Sequence, residues 1–465
     1  MGDRPDTDHR CSGVMSDPGV HGIVGTILDA PDRSRLRVRP DALVVAGGDG
    51  QITTVLAPHD PDYQATRSDL EQRGRLELVT GYLLPGLVDL HVHAPQWPQL
   101  GKALDVPLEV WLNRYTFPLE ARYADEDFAG EVYQSVVSAL LANGTTTAVY
   151  FGTVHRPATQ ILVDECLAQG QRAVVGKVAM DHPDACPDFY RDESAAIAVA
   201  ETARFVDYVR SHRENTRSLV QPAVTPRFLP SCTDELLAGL GGLAADTSAL
   251  VQTHCSESDW AHQYGLARFG RTDTASYAEF GLLRRGTVLA HSNFITEADM
   301  ALIAGIGAAV AHCPRSNVFF ANAVFPVVRA LAAGVHVGLG TDISGGSSPS
   351  LFDAAADAVA VSRLLEDGVN TATPAKDRGV PDSRIAFVDA FWMATTGGGR
   401  ALGLPIGLLE PGYRLDAIAV VPESGSNLAI WPEFDSPEDV LQKTIHNVER
   451  ADITRVWVDG RKVVG

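Results

Sequence analysis

No two of the six cysteines in this 465-residue chain are separated by two residues, and none of them cluster. A zinc knuckle and a disulfide framework are both excluded by that scatter. Most of these thiols are expected as small, inert core residues. Positive charge is also scarce, with 38 Lys and Arg against 58 Asp and Glu and a formal net charge of −20. Nucleic acid and anionic membrane surfaces reward clustered cations, so neither is expected as a partner. Long apolar runs are missing as well. The charge-free stretch at residues 300–314 is too short and too glycine-rich to span a bilayer. Residues 1–19 lack the apolar core of a signal peptide and read as a disordered tail, in which Met15 is an alternative start. With no export signal, the cytoplasm is the expected compartment.

What is present is an ordinary globular composition, 45% hydrophobic and 21% charged. The length suffices for one large barrel and a smaller domain. After the tail, short β-like runs occupy residues 20–28, 42–45, 52–56 and 76–84, with the Gly47-Gly-Asp-Gly50 turn joining the second and third. From residue 85 the character changes. Eight strand-like runs, at 87–93, 145–151, 172–180, 219–225, 249–254, 287–291, 308–312 and 335–341, alternate with segments of helical spacing. That alternation predicts a (β/α)8 barrel of the TIM type over residues 85–402. Strand-like runs return at 417–421 and 453–464 and have no helices to pair with. They are expected to join residues 20–84 in a small β-sandwich built from 20–84 plus 403–465.

The chemistry begins with two histidines closing the first barrel strand, His91 and His93. Side chains at i and i+2 of a strand share a face, so the two imidazoles converge and form half of a metal site. His254 with Glu257, then His291, then Asp342 follow in order, each at the end of an apolar run. In a (β/α)8 barrel the carboxyl ends of the strands carry the active site, which puts all of these residues in one place.

Three neutral imidazoles and a carboxylate suit a divalent ion of the zinc type, with His91, His93, His254 and Asp342 as the expected ligands. Water in an open coordination position would be acidified from a pKa of about 16 to about 7. Glu257, three residues beyond His254, is placed to shuttle a proton. His291 is either a further imidazole ligand or a group that orients the water; the second role is preferred. A two-metal barrel needs a bridging group at the end of the fourth strand, usually a modified lysine. That strand ends Val224-Thr225-Pro226-Arg227, and Lys177 falls too early in the third. One ion per chain is therefore expected. The paired H-x-E and P-C-x-x-C pattern of the unrelated zinc deaminase fold is missing.

The segments from Pro85 to His93 and Thr253 to Glu257, with Ala290-His291 and Gly340-Thr341-Asp342, resemble the amidohydrolase superfamily. The C-terminal run from Ala394 to Leu404, followed by Gly412 and Asp416, is similar to that superfamily's return to its β-sandwich. Further motifs resemble its guanine deaminase branch: His93-Ala-Pro-Gln96, the aromatic stretch from Pro107 to Pro118, Gly176 to Asp181, Thr225-Pro-Arg-Phe228, Ala311 to Asn317, and Gly340 to Gly346. The resemblance implies hydrolysis of guanine to xanthine and ammonia, a small-molecule purine partner, and a homodimer. It implies Gln96, Arg227 and Phe228 as purine-binding residues. A purine needs flat apolar walls and directed hydrogen bonds. Trp111 and its aromatic neighbours after the first strand can supply the walls, and Arg227 can donate to a carbonyl edge. Aminohydrolases of 8-oxoguanine, adenosine-type thioethers or triazines are the alternatives within this chemistry. A non-catalytic scaffold on the same barrel is the alternative outside it, although the ligand set here is complete. Trp97 and Arg315 depart from the branch's pattern, and both are expected to retune the pocket.

Overall fold

The computed structural model describes residues 21–465. The tail expectation for residues 1–19 lies outside the described residues.

Both chain ends contribute to one seven-stranded sheet. In chain order its strands are β1 (His21–Asp32), β2 (Arg35–Ala46), β3 (Ile52–Leu56) and β4 (Leu76–Pro85). The barrel strands follow: β5 (Leu87–His93), β6 (Thr145–Phe151), β7 (Arg172–Ala179), β8 (Val220–Pro226), β9 (Leu250–Cys255), β10 (Thr287–His291), β11 (Ala309–His312) and β12 (His336–Leu339). The chain then returns to the first sheet with β13 (Ala417–Val420), β14 (Ile453–Val458) and β15 (Arg461–Val464). The order in that sheet is β15-β14-β13-β4-β1-β2-β3. Its strands are hydrogen-bonded as one continuous sheet, interrupted by register shifts in β1 and β2. Ile23, Val44, Leu83, Ala419 and Trp457, drawn from five of its strands, share one apolar cluster, so the sheet encloses its own core.

The first hairpin is longer than its apolar pattern suggests. Residues 29–39 are rich in Asp and Arg, yet β1 and β2 run through them. Asp29 is fully buried and opposite Arg37, which donates to it from Nε and Nη2, while Arg39 donates from Nη2 at 2.6 Å. Cross-strand ion pairing replaces apolar alternation there.

The eight barrel strands pair in sequence order, each parallel to the next. The helices between them start where side-chain caps are available. Asp125 accepts from the backbone of Asp127 and Phe128 to open Glu126–Ala142. Thr296 and Asp299 form a reciprocal capping box on Glu297–Ile306. Val88, Leu90, Val149, Val174 and Val288 meet in one cluster with Leu402 and Ile406 packed against them.

The barrel closes where the last strand meets the first. Asp342 N–H donates to the His91 carbonyl at 2.8 Å, and His93 N–H donates to the Ile343 carbonyl at 2.9 Å. Beneath this seam the Asp89 carboxylate accepts from Thr341, from its backbone N–H at 3.0 Å and its hydroxyl at 2.5 Å. Gly340 is required here, because a Cβ on it would lie 2.8 Å from the Cβ of His91. Among the described residues, no helix is long and apolar enough to cross a membrane.

Candidate active site

Closure of the barrel brings the expected histidines and carboxylates together at the carboxyl ends of four strands, β5, β9, β10 and β12. His91 Nε2 is 3.1 Å from Asp342 Oδ1, and His93 Nε2 is 3.6 Å from the same oxygen. His93 Nε2 and His254 Nε2 are 3.0 Å apart. His291 Nε2 lies 3.9 Å from Asp342 Oδ2 and 3.8 Å from Glu257 Oε1. All of these side chains are buried. Backbone strain sits at the same place: His291, Ser256 and Asp342 adopt φ of 68°, 43° and 52°. Such left-handed conformations at non-glycine residues cost roughly 1–3 kcal/mol each and persist where surrounding structure holds them.

Neighbours define which atoms face inward. His254 Nδ1 is 2.6 Å from the Arg227 carbonyl, so Nδ1 carries the proton and Nε2 presents a lone pair. His291 Nδ1 is 2.9 Å from Asn317 Oδ1, which leaves its Nε2 bare in the same way. Burial holds His91, His93 and His254 well below the usual imidazole range, reinforced by the other imidazoles around them. His291 is lowered by burial too. All four are neutral at physiological pH. The Nε2 atoms of His91 and His291 are buried with no hydrogen-bond partner.

Such a set is electron-rich. Lone pairs and carboxylate oxygens converge within 4.8 Å of one another in two overlapping groups, His91 with His254 and His291, and His91 with His93 and Asp342. Their mutual repulsion is relieved by a cation among them, so the residues fit a divalent metal. Among the described residues, no lysine is placed as a bridge at the end of β8, which runs on to Arg227. Lys177 is buried in β7 and donates to Asp192 at 2.5 Å.

A small cleft opens beside this cluster, with His93, His254, Glu257 and Asp342 in its lining. Glu257 faces it. Burial first and the Asp342 charge second raise that carboxyl to about 8, against the pull of Arg227. Burial also raises Asp342, against the pull of His291. Trp111, Leu108, Phe320 and Phe228 line it as well. The indole of Trp111 stacks near Phe320 at 5.1 Å and donates to the Lys102 carbonyl at 3.2 Å.

Arg227 and Gln96 line the cleft and are 3% and 2% exposed. Neither stands alone. The fully buried carboxylate of Glu120 accepts from Arg227 Nη1 at 2.5 Å and Nη2 at 3.1 Å, and from Gln96 Nε2 at 2.9 Å. Gln96 Oε1 in turn accepts from Ser344 N–H at 3.2 Å. Half of the Arg227 fork is therefore committed within the protein before any ligand arrives.

Sequence reasoning missed Glu120, which follows the aromatic stretch without a motif of its own. It also gave no role to Asp89 or Asn317, although both lie inside motifs that were legible. The two departures from the family pattern do not line the cleft. Trp97 donates to Ser135 and packs against the cluster around Tyr123. Arg315 donates from Nε to Asp357 at 2.5 Å and pairs with Asp353 at 3.7 Å. His312 makes no hydrogen bond at either nitrogen. It is held neutral by burial, with its pKa pushed down to about 3.

A parallel eight-stranded barrel, a companion sheet from the chain ends and a His/Asp cluster at the strand ends define a metal-dependent hydrolase of the amidohydrolase kind. The sequence profile of the amidohydrolase family matches residues 82–463, and the chain belongs to that family. Within it the chain is similar to guanine deaminase from Mus musculus, 38% identical over 392 residues covering 82% of this chain and 83% of that protein. It is 32% identical to guanine deaminase from Dictyostelium discoideum over 457 residues, covering 94% and 97% of the two chains. The crystal structure of guanine deaminase from C. acetobutylicum, which has guanine bound in its active site, superposes with a TM-score of 0.84 at 30% identity, covering 96% of this chain and 100% of that one.

Proposed function

We propose that this chain hydrolyses guanine to xanthine and ammonia. The observation that carries the reading is the stack of two features: a cleft whose polar wall offers donors from Arg227 and Gln96, and a His/Asp cluster directly below it. Similarity to guanine deaminases along most of the chain supports the same reaction.

His91, His93, His254 and Asp342 would hold one divalent ion, with zinc proposed from the imidazole-rich donor set. When bound, such an ion supplies a Lewis acid and water acidified to a pKa near about 7. The remaining work falls to the side chains. Arg227 and Gln96 hold the purine by its polar edge, while Phe228 and Trp111 flank its faces. Asp342 and His291 align the attacking water and accept its proton. Glu257, protonated in the resting cleft, delivers a proton to the ring nitrogen beside C2. The water oxygen bonds to C2, the bond from C2 to the exocyclic nitrogen breaks as the amine takes the proton held by Asp342 and leaves as ammonia, and the new C2 hydroxyl gives its proton back to Glu257. The barrel is taken as residues 85–402, with 20–84 and 403–465 as the composite domain.

The test is ammonia release from guanine, 8-oxoguanine, adenine, guanosine, cytosine and a triazine. Guanine is expected to have the highest kcat/KM. A clear preference for adenine, cytosine, a nucleoside or a triazine would overturn the substrate while leaving the hydrolytic chemistry. No turnover of any compound would point to a non-catalytic scaffold.

A further inference from the structure

We infer that Glu120 is a positioning and charge-balancing residue of the purine cleft: it aims Arg227 and Gln96 at a neutral purine and cancels the cationic charge that would otherwise retain an anionic product. The inference rests on the reading of Arg227 and Gln96 as purine-contacting residues and deepens it.

Three donors converge on the Glu120 side chain, two from Arg227 and one from Gln96. Only a carboxylate accepts at both oxygens. The isosteric amide of glutamine would turn an N–H₂ group toward Gln96 Nε2 or toward the guanidinium, setting donor against donor. The contact to Gln96 also orients that amide, with its nitrogen toward Glu120 and its oxygen toward Ser344 N–H. One N–H of the amide nitrogen remains free for a ligand. Arg227 has five N–H groups, two of them given to Glu120, so donors remain for a carbonyl edge. The guanidinium also rests 5.0 Å from the centre of the Phe117 ring, which limits its swing.

Glu120 and Arg227 form a bidentate pair, fully buried, with a net charge of zero. Guanine is neutral near physiological pH. Xanthine is the stronger acid of the two and is partly anionic in mildly alkaline solution. An unpaired guanidinium in a water-poor cleft would bind that anion strongly. The paired one does not, so product leaves as readily as substrate enters. The other acids at the cleft, Glu257 and Asp342, sit on the side of the His cluster, and Tyr190, Tyr123, Tyr133 and His155 are further titratable groups that feel the Glu120 charge.

The experiment uses the full-length, metal-loaded enzyme at one mildly alkaline pH. Inhibition constants are measured for xanthine and for hypoxanthine, a purine that stays neutral there, in wild type, Glu120→Gln, Glu120→Asp and Arg227→Met. In Glu120→Gln, xanthine should tighten relative to hypoxanthine by roughly tenfold or more, because one charge is left unbalanced. Guanine kcat/KM should fall roughly 10²-fold in the same variant through misplaced donors. Glu120→Asp retains the charge on a shorter side chain. It should keep the wild-type ratio of the two inhibitors while raising KM for guanine. A purely structural role would weaken all purines together and leave the ratio unmoved. An unchanged ratio in Glu120→Gln, alongside lost guanine turnover in Arg227→Met, would overturn the role of Glu120 alone. Wild-type KM for guanine in Arg227→Met would overturn the reading of the cleft and this inference with it. Should Glu120→Gln fail to fold, a wild-type KM in Glu120→Asp would equally defeat the positioning role.

Discussion

The backbone carbonyl of Arg227 accepts the Nδ1 proton of His254 at 2.6 Å, while the side chain of the same Arg227 lines the cleft. One residue at the end of β8 thus sets the tautomer of a metal-site imidazole and supplies the polar wall above it. The proposed metal site and the proposed purine cleft are linked through this one residue. Changes to the Arg227 side chain leave its carbonyl in place, which makes the two functions separable by mutation.

Arg227→Met should depress guanine turnover steeply while the metal stays bound. A site built to hydrogen-bond one group rejects ligands by as much as about 10⁴–10⁵ when its partners are removed. The substitution also leaves Glu120 buried without its partner, a loss typically of about 3–5 kcal/mol. Thermal unfolding and elemental analysis, run beside kinetics, separate the two effects. A variant with wild-type kcat/KM on guanine would remove Arg227 from the substrate site.

One divalent ion per chain is expected, since the fourth strand has no bridging lysine and Lys177 is committed to Asp192. Inductively coupled plasma analysis of purified protein measures the stoichiometry. Asp342→Ala should lower metal retention, because that carboxylate approaches both His91 and His93. Two ions per chain, with activity following the second, would contradict the single-ion site.

Glu257→Gln should retain the metal and lose about 10²–10⁴-fold in turnover, the usual contribution of a general acid–base group. Turnover within a few-fold of wild type would exclude the proton-transfer role.

Trp111→Ala should raise KM for guanine or lower kcat with metal content unchanged, as the indole walls the cleft and packs on Phe320. The same kinetics as wild type would assign Trp111 to structural packing alone.

Stability should fall as pH rises from about 4 to about 7 through Asp273. Its buried carboxyl accepts from Ser256 N–H at 2.8 Å, and burial raises it from 3.8 to about 7. The folded state therefore binds the proton more tightly than the unfolded one, and ionisation across that window costs at most about 4 kcal/mol. Asp273→Asn keeps an acceptor for Ser256 and removes the titration. Urea midpoints measured across the window should converge toward acid pH and favour the variant near neutrality. Parallel profiles for the two proteins would remove Asp273 from this linkage.

Much of this molecule was legible because its signals are local. Strands buried on both faces read as apolar runs, and β5, β6 and β10 fall at the bounds their composition predicts. The two-residue spacing of His91 and His93 and the strand-end positions of His254, His291 and Asp342 needed only the geometry of a strand and the known face of the barrel. Other features escaped the local pattern. The helix Pro437–Asn447 carries a Ser436 to Asp439 capping box that could have announced it. The charged end of the first hairpin could not announce itself, because Asp29 and Arg37 make sense as strand residues only once paired.

By itself, the sequence determined the barrel, the ligand types and their order along the chain. Only the tertiary structure decided what those residues do to one another. Residues 227 and 120 are joined by the fold, and no spacing rule relates them. A carboxylate buried against a guanidinium has the same appearance in sequence as one in solvent. Closure of β12 on β5 likewise set Asp342 within 3.1 Å of His91, and burial, with the Asp342 charge second, raised Glu257 to about 8. Burial and through-space charge depend on which distant segments meet, and that information resides in the folded chain.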